Sequence, residues 1–154
     1  MEVFSEIFSL KVVLFFLISF SALAQENEVM EKSIMWEHND PSLEWGGCPG
    51  FMPEGCKIAV LHGDPAERNV DIFFKVPANS KIPNHYHTSV ERMVLVAGEL
   101  EVTYEGEKPK TLKVGSYAFG PSRKPHSAKC GDSPCILFIA FEEPLDAIPV
   151  VTKN

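Results

Sequence analysis

Residues 83–98 read PNHYHTSVERMVLVAG. His85 and His87 stand one residue apart, Glu91 follows four residues after His87, and an apolar run then closes on Gly98. Side chains two apart on a strand share a face, so the two imidazoles aim to the same side. A short turn at Thr88-Ser89-Val90 would return the Glu91 carboxylate to their pocket. The run from Glu91 to Ala97 is apolar apart from Glu91 and Arg92, the pattern of a strand buried on both faces. A carboxylate entering a β-core needs a partner, because an isolated buried charge is very costly. A divalent cation held by two imidazoles and a carboxylate supplies that partner.

Outward from this stretch the texture is the same. KIAVLH (57–62) stops at Gly63-Asp64-Pro65, and VDIFFKV (70–76) stops at Pro77. LEVTYEG (100–106) alternates cleanly before a charged turn. TLKV (111–114), SYAF (116–119), HSAKC (126–130) and CILFIAF (135–141) follow. No window of twelve residues after the first 24 holds a helical period. Short strands at this spacing, punctuated by Gly and Pro, predict an all-β sandwich or closed barrel.

The chain has 154 residues and a formal net charge of -7. Length predicts one domain, and an acidic surface that repels phosphate backbones excludes nucleic acid as a natural partner. Val12 to Ala24 reads VVLFFLISFSALA, an apolar run closing on an A-x-A-like cleavage signal. It is too short to span a bilayer comfortably. Glu2 and Glu6 are atypical of the region that precedes such a run, so an uncleaved anchor is the alternative. Residues 1–24 are therefore expected to be a signal peptide, 25–55 an N-terminal arm and loop, 56–142 the β-barrel, and 143–154 a tail on its outside. Trp36 and Trp45 are expected to anchor the arm. Cleavage would leave a periplasmic or secreted chain with no membrane attachment.

Four cysteines, Cys48, Cys56, Cys130 and Cys135, follow that segment. An even count in an exported chain predicts two disulfides, with three possible connectivities. The local pairs are favoured, since CGDSPC flanks a tight turn and CPGFMPEGC a Pro/Gly-rich loop. Reduced cysteines or a cysteine metal site are the alternative if the leader is misread.

His85-x-His87-x3-Glu91-x6-Gly98 resembles the first sequence motif of the cupin family, G-x5-H-x-H-x3,4-E-x6-G. Gly115, Pro121 and His126 resemble the second, G-x5-P-x-G-x2-H-x3-N, after a spacer of sixteen residues. Asn79 and Arg123 stand at two glycine positions of the pattern, and Cys130 at the terminal asparagine. The resemblance implies a single-domain jelly-roll β-barrel similar to the small exported cupins of bacteria. It implies one divalent transition metal, Fe, Mn, Ni, Zn or Cu, on His85, His87, Glu91 and His126. A homodimer through the outer strands is also compatible with it.

Met93, Leu95 and Ala128 share parity with these positions, and Tyr117 and Phe119 with each other, so an inward-facing set would make a small apolar pocket for a compact organic ligand. Arg123 is either a guard at its mouth or a solvated turn residue. His38 and His62 are read as surface or hydrogen-bonded groups. Two functions follow. One is a metal-dependent oxidoreductase of dioxygenase type acting on a small organic molecule. The other is a non-catalytic periplasmic module that binds metal or small ligands, or a structural barrel; no dedicated general base can be named.

Overall fold

The chain is described here by a computed structural model covering residues 31–151. The expected leader over 1–24 lies outside the described residues. Among these there are eleven strands and no helix. In chain order they are β1 (Trp45–Gly47), β2 (Lys57–His62), β3 (Val70–Val76), β4 (Lys81–Tyr86), β5 (Glu91–Ala97) and β6 (Leu100–Tyr104). Then come β7 (Lys110–Leu112), β8 (Tyr117–Gly120), β9 (His126–Cys130), β10 (Cys135–Phe141) and β11 (Ile148–Pro149). They form two antiparallel sheets, β1-β2-β3-β10-β5-β8 and β11-β4-β9-β6-β7.

Between the sheets lies one core, stacked in layers by strand register. Glu91 opposes Phe141 and Gly120, while Tyr104 and His85 flank His126. One step further in, Met93 opposes Ile139 and Ala118, and Ala128 opposes Val102 and Ile82. Leu95 and Leu137, then Leu100 and Cys130, complete a third layer. Ile72, Leu95 and Leu137 are almost wholly buried, each contributing about 2 kcal/mol of transfer free energy. On the other face of β2, β3 and β10, Ala59, Phe73 and Ile136 pack with Leu43, Trp45 and Leu61. The arm is anchored there: Trp36 Nε1 donates to the Leu61 carbonyl at 3.2 Å, and Lys75 lies over the Trp45 ring.

Turn chemistry sets the strand ends. Gly98, between β5 and β6, has φ +84°, and a Cβ there would stand 2.6 Å from the Pro134 carbonyl oxygen. Only glycine combines that backbone with that approach. Asn79 and Arg123, the residues at the motif's glycine positions, both adopt φ 59°. The left-handed turns are thus kept with side chains that tolerate them less well. The Arg123 turn is held to the segment after β4 by Arg123 N on the His87 carbonyl, 2.8 Å, and Ser122 Oγ on the Thr88 carbonyl, 2.6 Å.

Cys48 pairs with Cys56 and Cys130 with Cys135. Such bonds persist in oxidising surroundings and point to a location outside the cytoplasm. No helix of the described residues is long and apolar enough to cross a membrane. Tyr117 and Phe119 do not line the barrel: they are 60% and 50% exposed. The β5–β8 register pairs Phe119 with outward-facing Arg92 and turns Ala118 and Gly120 inward. The segment after Phe141 does more than lie on the outside, because β11 pairs with β4 and Leu145, Asp146 and Ala147 reach the interior cavity.

Candidate metal centre

Four polar side chains meet at one end of this barrel. His85 lies near the end of β4, His87 follows that strand, Glu91 opens β5 and His126 opens β9. All four are buried, with 4–7% of their surface exposed. His85 and His126 face each other across the β4–β9 ladder, their ring centroids 4.3 Å apart. The His87 ring lies 4.9 Å from His85 and 5.5 Å from His126. One nitrogen from each of the three rings falls within 4.8 Å of the others, a cluster able to hold a metal ion.

Backbone carbonyls fix how the rings present themselves. Nδ1 of His85 lies 2.8 Å from the Pro83 oxygen, Nδ1 of His126 lies 3.3 Å from that of Lys124, and Nδ1 of His87 contacts the Asp146 oxygen. A neutral imidazole that donates from Nδ1 keeps its Nε2 lone pair for a cation. The Nε2 atoms of His87 and His126 lie 3.2 and 3.5 Å from the two Glu91 carboxyl oxygens. The three imidazoles and one carboxyl group therefore converge in the orientation that a mixed nitrogen–oxygen metal site needs.

Burial sets the charge of the cluster. It lowers the pKa of His85, of His87 to about 4 and of His126 to about 3, with neighbouring imidazoles adding to the shift of the latter two. It raises Glu91 to about 8, and the Asp146 charge adds to that. At neutral pH the protein alone holds neutral imidazoles beside a protonated carboxyl group, so the His87–Glu91 contact is a hydrogen bond between neutral groups. A divalent cation would take the place of that proton.

The surroundings are shaped for the carboxyl group. Gly120 stands opposite Glu91, and a Cβ there would lie 2.8 Å from Glu91 Oε2 and 2.7 Å from Tyr104 Oη. Tyr104 Oη is buried with no hydrogen-bond partner among the described residues, and burial followed by the Glu91 charge pushes its phenol pKa up. Asp146 accepts from Thr88 N at 2.9 Å and from Thr88 Oγ1 at 2.7 Å, so both its carboxylate oxygens are engaged. Phe51, in the loop closed by Cys48–Cys56, sets its ring 6.0 Å from that of His85. The donor set fits one divalent transition metal without choosing among Fe, Mn, Ni, Zn and Cu.

A cavity of about 360 Å³ adjoins the cluster. Met93 and Ala128 line it, but Arg123 does not. Sequence reasoning missed Tyr104, Asp146, Gly120 and the Cys48–Met52 wall. For Asp146 the sequence carries no local signal, since 59 residues separate it from the histidine it supports. Tyr104 could have been found from strand parity, because it lies two residues past Val102 on a cleanly alternating strand.

A family model described as a domain of unknown function, DUF4437, matches residues 19–146. The dimethylsulfoniopropionate lyase DddQ of Ruegeria pomeroyi is 34% identical over 77 residues, which is 50% of this chain and 38% of that protein. The crystal structure of DddQ superposes with a TM-score of 0.60 at 25% identity, covering 71% of this chain and 61% of that one. The chain thus spans less than two thirds of the length of this relative. The polyketide cyclase RemF of Streptomyces resistomycificus matches with a TM-score of 0.64 at 17% identity, over 79% of this chain and 89% of its own. The cupin domain of Schizosaccharomyces pombe Cnp3 matches at 0.55 and 17%, over 67% of this chain and 70% of its own. The fold is that of the cupins.

Proposed function

The chain belongs to the DUF4437 family, and we propose that it is a metal-dependent enzyme acting on a small organic molecule, with His85, His87, Glu91 and His126 as the metal ligands. The observation that carries this reading is the set of three Nδ1-to-carbonyl contacts that leave the imidazoles facing one another beside Glu91. The metal would supply Lewis acidity or a site at which dioxygen meets a chelated substrate. The chain's own residues would exclude water and orient the chelating end of the substrate, and the cation would hold Glu91 ionised against the burial that favours its proton.

The reaction we favour is of dioxygenase type. Among the described residues no tyrosine, lysine, arginine, serine or threonine lines the cavity, and the Asp146 carboxylate is committed to Thr88. The cavity wall thus offers no dedicated base, which favours chemistry on a chelated substrate; Tyr104 Oη, buried beside Glu91 and unpartnered among the described residues, is the group a lyase reaction would draw on. A lyase reaction is the second reading, supported by the identity to DddQ. Iron-loaded protein offered diketones, catechols and thiols is expected to consume oxygen only when substrate is present, and His87→Ala to abolish that uptake. Turnover of dimethylsulfoniopropionate at equal rates with and without oxygen would replace the oxygenase reading by the lyase one. Stoichiometric zinc with no turnover on any compound would reduce the protein to a binding module.

A further inference from the structure

The cavity's polarity is divided along the barrel axis, and strand register shows where. Its ionisable lining residues are His85, His87, Glu91 and His126, with Asp146 beside them. One step inward the wall is Ile72, Ile82, Met93, Val102, Ala128 and Ile139, and beyond that Phe74, Leu100 and Leu137. Those two inner layers offer neither a cation for a phosphate or second carboxylate nor a hydroxyl or amide for a sugar. Close-packed interiors leave few voids larger than a water molecule, yet this one, at about 360 Å³, has the liquid volume of roughly a dozen waters. A polar solute carried into the inner layers would lose its hydration with no replacement.

Resting on the metal reading above, we propose that the ligand is amphiphilic: a single chelating head held at the histidine layer and an uncharged hydrocarbon body of roughly ten heavy atoms seated in the two apolar layers. Sugars, nucleotides and compounds with a charged distal end are excluded by the same wall, which sets this ligand class against the lyase reading, whose sulfonium substrate is charged at its far end. The chemical class is an aliphatic or aromatic chain ending in an oxygen chelate, such as a 2-oxo acid, a diketone or a hydroxamate.

The test uses the full chain loaded with cobalt, whose visible spectrum reports head binding, titrated with straight-chain hydroxamic acids from acetyl to decanoyl. The expected result is a Kd that falls about fourfold per methylene and levels off once the two layers are filled. Ala128→Leu, which fills the middle layer, is expected to weaken the octanoyl compound at least tenfold more than the acetyl one. Val102→Thr, close in volume and so less demanding on folding, is expected to reduce the gain per methylene. A Kd that is the same for every chain length, or a hydroxamate with a distal carboxylate that binds as tightly as its methyl counterpart, would overturn the ligand class and leave the metal site standing. Failure to take up cobalt at all would overturn both.

Discussion

His87→Ala is expected to lower the affinity for a divalent transition metal about a thousandfold while the barrel still folds. Loss of a hydrogen-bond partner behind a ligand commonly costs 10–100-fold in affinity, and removing a ligand outright should exceed that. His87 is also the most heavily supported of the three imidazoles. Asp146 accepts from its Nδ1, its Nε2 lies 3.2 Å from Glu91, and its own carbonyl accepts from Arg123 N. Since the ring is buried, alanine leaves a void beside Phe141, and a stability loss of about 2 kcal/mol accompanies the metal loss. Metal content after dialysis, with circular dichroism to establish retained β-structure, separates the two effects. Full metal occupancy in a folded His87→Ala protein would remove His87 from the ligand set.

Metal uptake is expected to expel about one proton at pH 7, and its affinity to fall about fiftyfold between pH 8 and pH 6. The sign follows from Glu91, whose pKa stands at about 8 in the protein alone against an ordinary 4.5. A raised carboxyl pKa contributes stability that is complete below pH 4.5 and lost as pH rises towards 8. The metal-free protein therefore weakens from about pH 6.5 to pH 8, and added metal raises the melting temperature most at the alkaline end. Protons on the histidines do not compete with the metal between pH 6 and pH 8, because His87 and His126 stay neutral until about pH 4 and 3. As pH falls below 6.5 they contribute the opposite trend, since each must be neutral to remain buried. Glu91→Gln is expected to abolish proton release and flatten the pH dependence, with an affinity loss of about 10–100-fold. Calorimetric titration in two buffers of different ionisation enthalpy measures the proton count directly. An enthalpy of binding that is the same in both buffers at pH 7 would contradict this role for Glu91.

Most of the barrel could be read from residues because its strands are long enough to show alternation and end on Gly or Pro. β2, β3, β9 and β10 run as KIAVLH, VDIFFKV, HSAKC and CILFIAF mark them. The strands that escaped are β1 and β11, WGG and IP, too short and too rich in Gly and Pro to carry a pattern. For Tyr117 and Phe119 the sequence offers parity alone. Parity says that two residues share a face but not which one, and the β8 pairing with Arg92 puts them outside. Asn79 and Arg123 show the reverse: backbone geometry survives at positions where residue identity departs from the motif. The four polar residues of the candidate centre were legible because their spacing is local within two segments. Their supports were not. The Asp146 carbonyl, the Tyr104 hydroxyl and the space left at Gly120 depend on contacts between strands distant in sequence, which no local pattern encodes.

The central claim is that one divalent metal sits among His85, His87, Glu91 and His126. Anomalous diffraction at the absorption edge of the metal retained by the purified chain tests it most directly. The expected result is one strong peak per chain, within coordination distance of Nε2 of all three histidines and of a Glu91 oxygen. A metal-replete crystal with no anomalous peak at that position, or with its peak on other residues, would contradict the account.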